Sequence, residues 1–256
     1  MATEKFDASA WFVRLRPDPG AALRFYCFPY AGGSIPVFRN WLAEMPAAVE
    51  LVIVQLPGRG TRILEKPYIN TAEAVPDLVN ALLADVDRPY AFFGHSLGAL
   101  LCFEAARAMQ LLAKPLPRVV FASGRSAPHM PDPNMPIHGL PDLEFIRKIR
   151  EFEGTPQEIL QNPDLLEIFL PVLKADFQMN ETYHYQPGPK LDCDLAAFGG
   201  DRDQRVPFSH LQAWSELTNR KFSTRLFPGN HFFLHSAQES LLKTILSALI
   251  LHSSVV

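Results

Sequence analysis

The chain has 256 residues, a formal net charge of −3 and 48% hydrophobic residues. That length suits one α/β domain with an insertion, and the apolar content can bury a substantial core. A slightly acidic balance with no long basic run argues against a nucleic-acid or anionic-membrane ligand.

The opening residues place acids where a secretory signal needs a basic stretch and then an apolar one. No segment approaches the roughly 18 uninterrupted apolar residues of a spanning helix. Cys27, Cys102 and Cys193 are odd in number and sit in apolar surroundings, which fits small core hydrophobes in a reducing compartment. A cytoplasmic globular protein is expected.

Strand and helix signals alternate along the chain, which predicts a mostly parallel sheet with helices on both faces. Leu23 to Phe28 reads as a strand that stops at the loop Pro29-Tyr30-Ala31-Gly32-Gly33. Phe38 to Ala48 reads as a helix, and Glu50 to Gln55 as a second strand ended by Leu56-Pro57-Gly58-Arg59-Gly60. Asn70 is placed to cap a helix over Ala72 to Asp85, since its side-chain oxygen can accept from free N–H groups there. Pro89 to Phe93 is a strand, Gly98 to Leu112 a helix, and Arg118 to Ser123 a further strand.

Five prolines between Ser126 and Pro141 then break the pattern. Helices are predicted over Leu143 to Phe152 and Asp164 to Met179, and the stripe Leu165, Ile168, Phe169, Val172 and Leu173 reads mostly as core packing. The stretch from about 128 to 189 is therefore expected as a helical lid inserted into a single domain over 1–256. Alternation resumes with a strand at Cys193 to Phe198, a helix at Phe208 to Leu217, a strand at Phe222 to Phe227 and a closing helix at Ala237 to Leu251.

The chemistry is carried by Gly94-His95-Ser96-Leu97-Gly98, a G-x-S-x-G pattern between a strand and a helix. A nucleophile on such a turn has a strained backbone, and small neighbours are needed to avoid clashes. Ser96 is the expected nucleophile, with the Leu97 N–H and the helix dipole facing a developing oxyanion. The second oxyanion donor is expected at the Ala31 N–H, with that of Gly32 beside it. A serine so used needs a base and a carboxylate, which follow it in the chain in this fold. His231, just after the last strand, is the expected base. Asp203 is the expected acid in Gly199-Gly200-Asp201-Arg202-Asp203, and Asp201 is its rival.

His231 and His235 stand four apart, but no glutamate follows His231 and no third ligand is evident, so no metal is expected. No cofactor is expected either. Arg59 and Arg62 read as a solvated loop pair, or as a phosphate contact near the site entrance. His95 reads as structural, His235 as a packing residue, and Trp41 and Trp214 as core anchors.

Five ordered motifs together carry a resemblance. They are Phe28-Pro29-Tyr30-Ala31-Gly32-Gly33, Leu56-Pro57-Gly58-Arg59-Gly60-Thr61-Arg62, Phe93-Gly94-His95-Ser96-Leu97-Gly98-Ala99, Gly199-Gly200-Asp201-Arg202-Asp203 and Pro228-Gly229-Asn230-His231-Phe232-Phe233. Across nearly its whole length the chain resembles the type II thioesterases, stand-alone editing enzymes beside polyketide synthases and non-ribosomal peptide synthetases, which are related to the medium-chain fatty-acid-synthase thioesterases. The resemblance implies an α/β-hydrolase fold and a Ser96 acyl-enzyme. It also implies a substrate acyl group on the phosphopantetheine arm of an acyl or peptidyl carrier protein, whose removal clears stalled chains. Asn230 stands where the family often has glycine, and a left-handed backbone tolerated by asparagine is expected there. Arg147, Lys148 and Arg150 are the expected docking cations for an acidic carrier. Two other readings fit the same fold: a small-molecule carboxylesterase or lipase, and a non-catalytic binding protein.

Overall fold

The computed structural model of the protein describes residues 7–152, 154 and 157–253. Seven strands form one sheet: β1 (Phe12–Val13), β2 (Leu23–Phe28), β3 (Val49–Val54), β4 (Tyr90–His95), β5 (Val119–Ser123), β6 (Asp194–Gly200) and β7 (Phe222–Phe227). Their order is β1-β3-β2-β4-β5-β6-β7, with β1 antiparallel to β3 and every other neighbouring pair parallel. Strands β2 to β5 are buried throughout, as a parallel sheet covered on both faces requires.

The side-chain period of two divides the core. Tyr26 and Phe28 of β2 join Tyr90 and Phe92 of β4 in one apolar cluster, whereas Leu23, Phe25 and Cys27 join Ala91 and Phe93 in another. Helices α2 (Thr71–Asp85) and α3 (Leu97–Leu111) pack on the first face, while α1 (Pro36–Arg39) and the late helices α8 (Phe233–Ser236) and α9 (Gln238–Ser253) pack on the second. Asn70 caps α2 as expected, its oxygen accepting the Glu73 N–H at 2.9 Å.

Between β5 and β6 the chain forms α4 (Asp142–Phe152), α5 (Gln157–Gln161) and α6 (Pro163–Glu181). With Ile137 of the preceding loop they carry a third, separate apolar cluster built on Phe145, Ile149, Leu160, Leu173 and Phe177. A two-residue strand, β1, went unpredicted because so short a run has no readable alternation. The expected helix over 38–48 is four residues of α1 followed by a 3₁₀ turn at Asn40–Glu44. The helix expected over 208–217 likewise divides into α7 (Phe208–Gln212) and a 3₁₀ turn at Ala213–Leu217. Only Val172 and Leu173 of the apolar stripe on α6 are buried; Ile168 is half exposed, so the stripe is not simple core.

After β2 the chain crosses to β3 on one side and returns to β4 on the other. The order reverses there, and a crevice opens beyond the carboxyl ends of β2 and β4, where open α/β sheets place their ligands. The loop holding Ala31 leaves one of these strands and Ser96 leaves the other.

Candidate active site

Ser96 follows β4 and stands at the N-cap of α3 with φ 54° and ψ −113°, one of two non-glycine residues with positive φ among those described. Such a backbone costs on the order of 1–3 kcal/mol and persists only where its surroundings over-determine it. The surroundings here are steric. A Cβ on Gly94 would lie 2.2 Å from the Gly98 carbonyl oxygen, and one on Gly98 would lie 2.1 Å from the Phe28 carbonyl oxygen. The start of α3 is thereby pressed against the end of β2. The Ser96 N–H donates to the Ser123 carbonyl at 2.8 Å, which fixes the turn to β5 as well.

His231 follows β7 and is buried, and its Nδ1 lies 2.8 Å from Oδ2 of Asp203, whose side chain is 1% exposed. The other Asp203 oxygen accepts the Arg205 N–H at 2.9 Å. Asp201 does different work: its Oδ1 accepts the Gly229 N–H at 2.9 Å, and its side chain is half exposed. It latches the loop after β6 to the loop after β7. Gly200 permits that approach, since a Cβ there would lie 2.3 Å from the Asn230 carbonyl oxygen. The positive φ expected at Asn230 belongs instead to Gly229, at 139°.

Ser96 and His231 line the same two cavities. One, of about 100 Å³, is polar and also walled by Arg125, Asn134, Asn180 and Arg205. The other, of about 30 Å³, is walled by Tyr30, Ala31, Phe152, Phe177 and Phe232. Tyr30, Ala31 and Gly154 continue into a cleft of about 680 Å³ between the loop after β2 and the wall formed by Leu160, Phe169 and Leu173. Ser96 thus lies beside a small polar recess, and its second cavity leads by Tyr30 and Ala31 to a larger, mainly apolar cleft.

Burial sets the protonation of several groups here. It holds the His95 imidazole well below its ordinary range, and His231 beside it adds to this; the two ring centroids are 5.2 Å apart. His95 is thus a neutral ring whose Nδ1 lies 2.9 Å from the Ser123 hydroxyl. Burial also lowers the Arg125 guanidinium to about 10 and depresses Arg205, whose fork lies 4.0 Å from the Phe152 ring centroid. It raises the Tyr30 phenol to about 12, and that hydroxyl lies 3.1 Å from His235 Nε2. His231 and His235 therefore have separate partners and do not converge.

The reading of Arg59 and Arg62 as a solvated or phosphate-facing pair is corrected. Both are buried. Arg59 forms two hydrogen bonds to Asp176 on α6, and Arg62 pairs with Glu65 and lies 4.5 Å from the centroid of the Trp11 ring. Asp176 escaped notice in the sequence because a lone aspartate on a helix carries no signal until its partner is known. Its Oδ2 accepts the Gly32 N–H at 2.7 Å, so that of the two neighbours considered for the second oxyanion donor, Gly32 is already engaged. On α4, Lys148 pairs with Glu151 and Arg150 donates to the Leu160 carbonyl, which leaves Arg147 as the exposed cation of the expected docking trio without a partner among the described residues.

A model of the thioesterase domain family matches residues 24–249. The chain belongs to the thioesterase family. It is a thioester hydrolase with the mostly parallel sheet of that family's α/β-hydrolase fold. It is 38% identical to the gramicidin S biosynthesis protein GrsT of Aneurinibacillus migulanus over 91% of each chain. The solved structure of the type II thioesterase BorB from the borrelidin biosynthetic cluster superposes with a TM-score of 0.86 at 34% identity, covering 96% of this chain and 99% of that one. A relative from Brevibacillus parabrevis, 42% identical over 94% of this chain and 93% of its own, bears the name linear gramicidin dehydrogenase LgrE. This thioesterase has no G-x-G-x-x-G dinucleotide pattern: Gly58 and Gly60 are its one pair of glycines two apart, and position 63 is isoleucine. Among the described residues no helix is long and apolar enough to cross a membrane.

Proposed function

We propose that this thioesterase works through a Ser96 acyl-enzyme on acyl groups carried by the phosphopantetheine arm of acyl or peptidyl carrier proteins, clearing stalled or wrongly primed chains. The observation that carries the reading is the His231–Asp203 contact of 2.8 Å beside a strained serine that shares its cavities. In this scheme Asp203 fixes the tautomer with Nδ1–H toward itself, which leaves Nε2 to take the Ser96 proton. The Ser96 oxygen attacks the thioester carbonyl, and the oxyanion is met by the N–H groups of Ala31 and Leu97. Collapse breaks the carbon–sulfur bond. A thiol with pKa near 8.5 leaves more readily than an alkoxide, so His231 supplies little acid assistance at that step. Once that imidazole has passed the Ser96 proton to the departed thiolate, it takes a proton from water, whose attack on the acyl-enzyme releases the acid and restores Ser96.

Geometry favours a thioester lying across Ser96, with one end in the small polar recess and the other in the larger apolar cleft. The segment carrying α4 to α6 acts as the lid over that path. The family context supports the reading: GrsT is named for gramicidin S biosynthesis and BorB as a type II thioesterase of the borrelidin biosynthetic cluster. Carrier domains are acidic and this chain has net charge −3, so docking uses local cations such as Arg147. Matched acyl-pantetheine thioesters and oxygen esters test the reading. A higher kcat/KM on the thioesters is expected, and higher still when they are delivered on a carrier protein. A strong oxygen-ester preference would identify a carboxylesterase instead.

A further inference from the structure

We propose that Asp176, held by Arg59, is a positioning residue that orients the oxyanion hole from the lid helix α6. The proposal rests on the serine-thioesterase reading above. The Arg59 and Asp176 side chains are 2% and 1% exposed and share two hydrogen bonds, of 2.7 and 2.8 Å. Arg59 also donates to the Gly33 carbonyl at 3.2 Å and the Pro57 carbonyl at 3.3 Å. Asp176 accepts the Gly32 N–H. One ion pair thus joins the loop after β2, the loop after β3 and α6.

The bonds act on the two peptide planes that matter. Gly32 N–H belongs to the Ala31–Gly32 peptide, so Asp176 fixes that plane. The Ala31 N–H belongs to the Tyr30–Ala31 peptide, whose carbonyl accepts the Gly33 N–H at 2.8 Å. In a trans peptide the N–H points opposite to the C=O, so holding the Tyr30 carbonyl aims the Ala31 N–H. Arg59 secures the Gly33 carbonyl and closes the set. Packing from the same helix agrees: Gly32 has φ 73°, and a Cβ there would lie 2.2 Å from Leu173, one turn before Asp176.

A buried ion pair is a poor device for stability alone, because an apolar pair of similar volume often serves as well or better. An apolar pair cannot accept the Gly32 N–H. That difference separates a positioning role from a packing role. The ion pair also fastens α6 to the oxyanion loop as a wall of the site.

The test compares wild type, Ser96→Ala, Arg59→Lys and the double variant Arg59→Met/Asp176→Leu, with butyryl-pantetheine as substrate. Melting temperature, kcat, KM and the rate of Ser96 phosphonylation by a fluorophosphonate are measured for each. The double variant is expected to melt near wild type, with kcat and phosphonylation both lowered about 100-fold and KM little changed. Arg59→Lys keeps the buried charge but loses the fork, and about a tenfold fall in kcat is expected. Should the double variant fail to fold, Arg59→Lys decides. Wild-type kcat and phosphonylation in whichever variant decides overturns the positioning role, and so do losses that simply track melting temperature. Activity retained by Ser96→Ala would instead overturn the serine reading, whatever the clamp variants do.

Discussion

Ser96 occupies its turn because the backbone around it leaves no room for another course, whereas His231 stands where it does through hydrogen bonds between two loops. Gly94 and Gly98 enforce the first arrangement by close backbone approach to the helix start and to Phe28. The second depends on Asp203 for the ring and on Asp201 for the latch to Gly229. The difference teaches where each half is vulnerable. A sterically enforced turn fails through bulk, with loss of stability, while a bonded imidazole fails through chemistry, with the fold intact.

The largest effect expected is that of Ser96→Ala, which lowers kcat on butyryl-pantetheine by about 10⁶-fold with no loss of melting temperature, since the variant removes an oxygen and adds no bulk. Asp203→Asn comes next, with kcat down about 10⁴-fold and unchanged circular dichroism, because an amide favours the wrong tautomer of His231. Gly98→Ala attacks the other half. Its Cβ would meet the Phe28 carbonyl at 2.1 Å, and denaturant unfolding is expected to show a loss of about 1–3 kcal/mol or more.

A smaller effect comes from acidification. His95 is kept neutral by burial, so its folded pKa lies below the unfolded value of 6.5. Below that value the unfolded chain binds a proton that the native state refuses, and stability therefore falls as pH drops. Its share of the slope is at most about 1.4 kcal/mol per pH unit between pH 6 and 5. Urea titrations of wild type and His95→Gln measure it; equal slopes would place the acid sensitivity elsewhere. Asp201→Asn should be the mildest, within about 0.5 kcal/mol in stability and near wild type in rate, because an amide oxygen still accepts the Gly229 N–H. A rate as low as that of Asp203→Asn would transfer the acid role to Asp201.

The sequence made the steric half legible and the bonded half less so. Glycine at 94 and 98 announces a close approach whatever the tertiary context, so the turn at Ser96 could be read directly. Two aspartates two residues apart look alike in a turn, and only the loop geometry separates the partner of His231 from the latch on Gly229. Arg59 and Asp176 lie 117 positions apart and meet only because α6 folds back over the loop after β2. An arginine between glycines reads as solvent-facing until that helix covers it. Short elements escaped for a simpler reason: β1, α5 and the 3₁₀ turns hold too few residues for a period to show. A mostly parallel sheet covered on both faces followed from the alternation of strands with helices, whereas the strand order, and with it the crevice between β2 and β4, is set by crossovers that no local pattern reveals.

Catching the acyl group in transit tests the serine mechanism most directly. Wild type mixed with butyryl-pantetheine, quenched in acid within a turnover and mapped by peptide mass spectrometry, should carry one butyryl group on Ser96. The same treatment of Ser96→Ala should give no adduct and no hydrolysis. An adduct on another residue, or hydrolysis at the wild-type rate by Ser96→Ala, would contradict it.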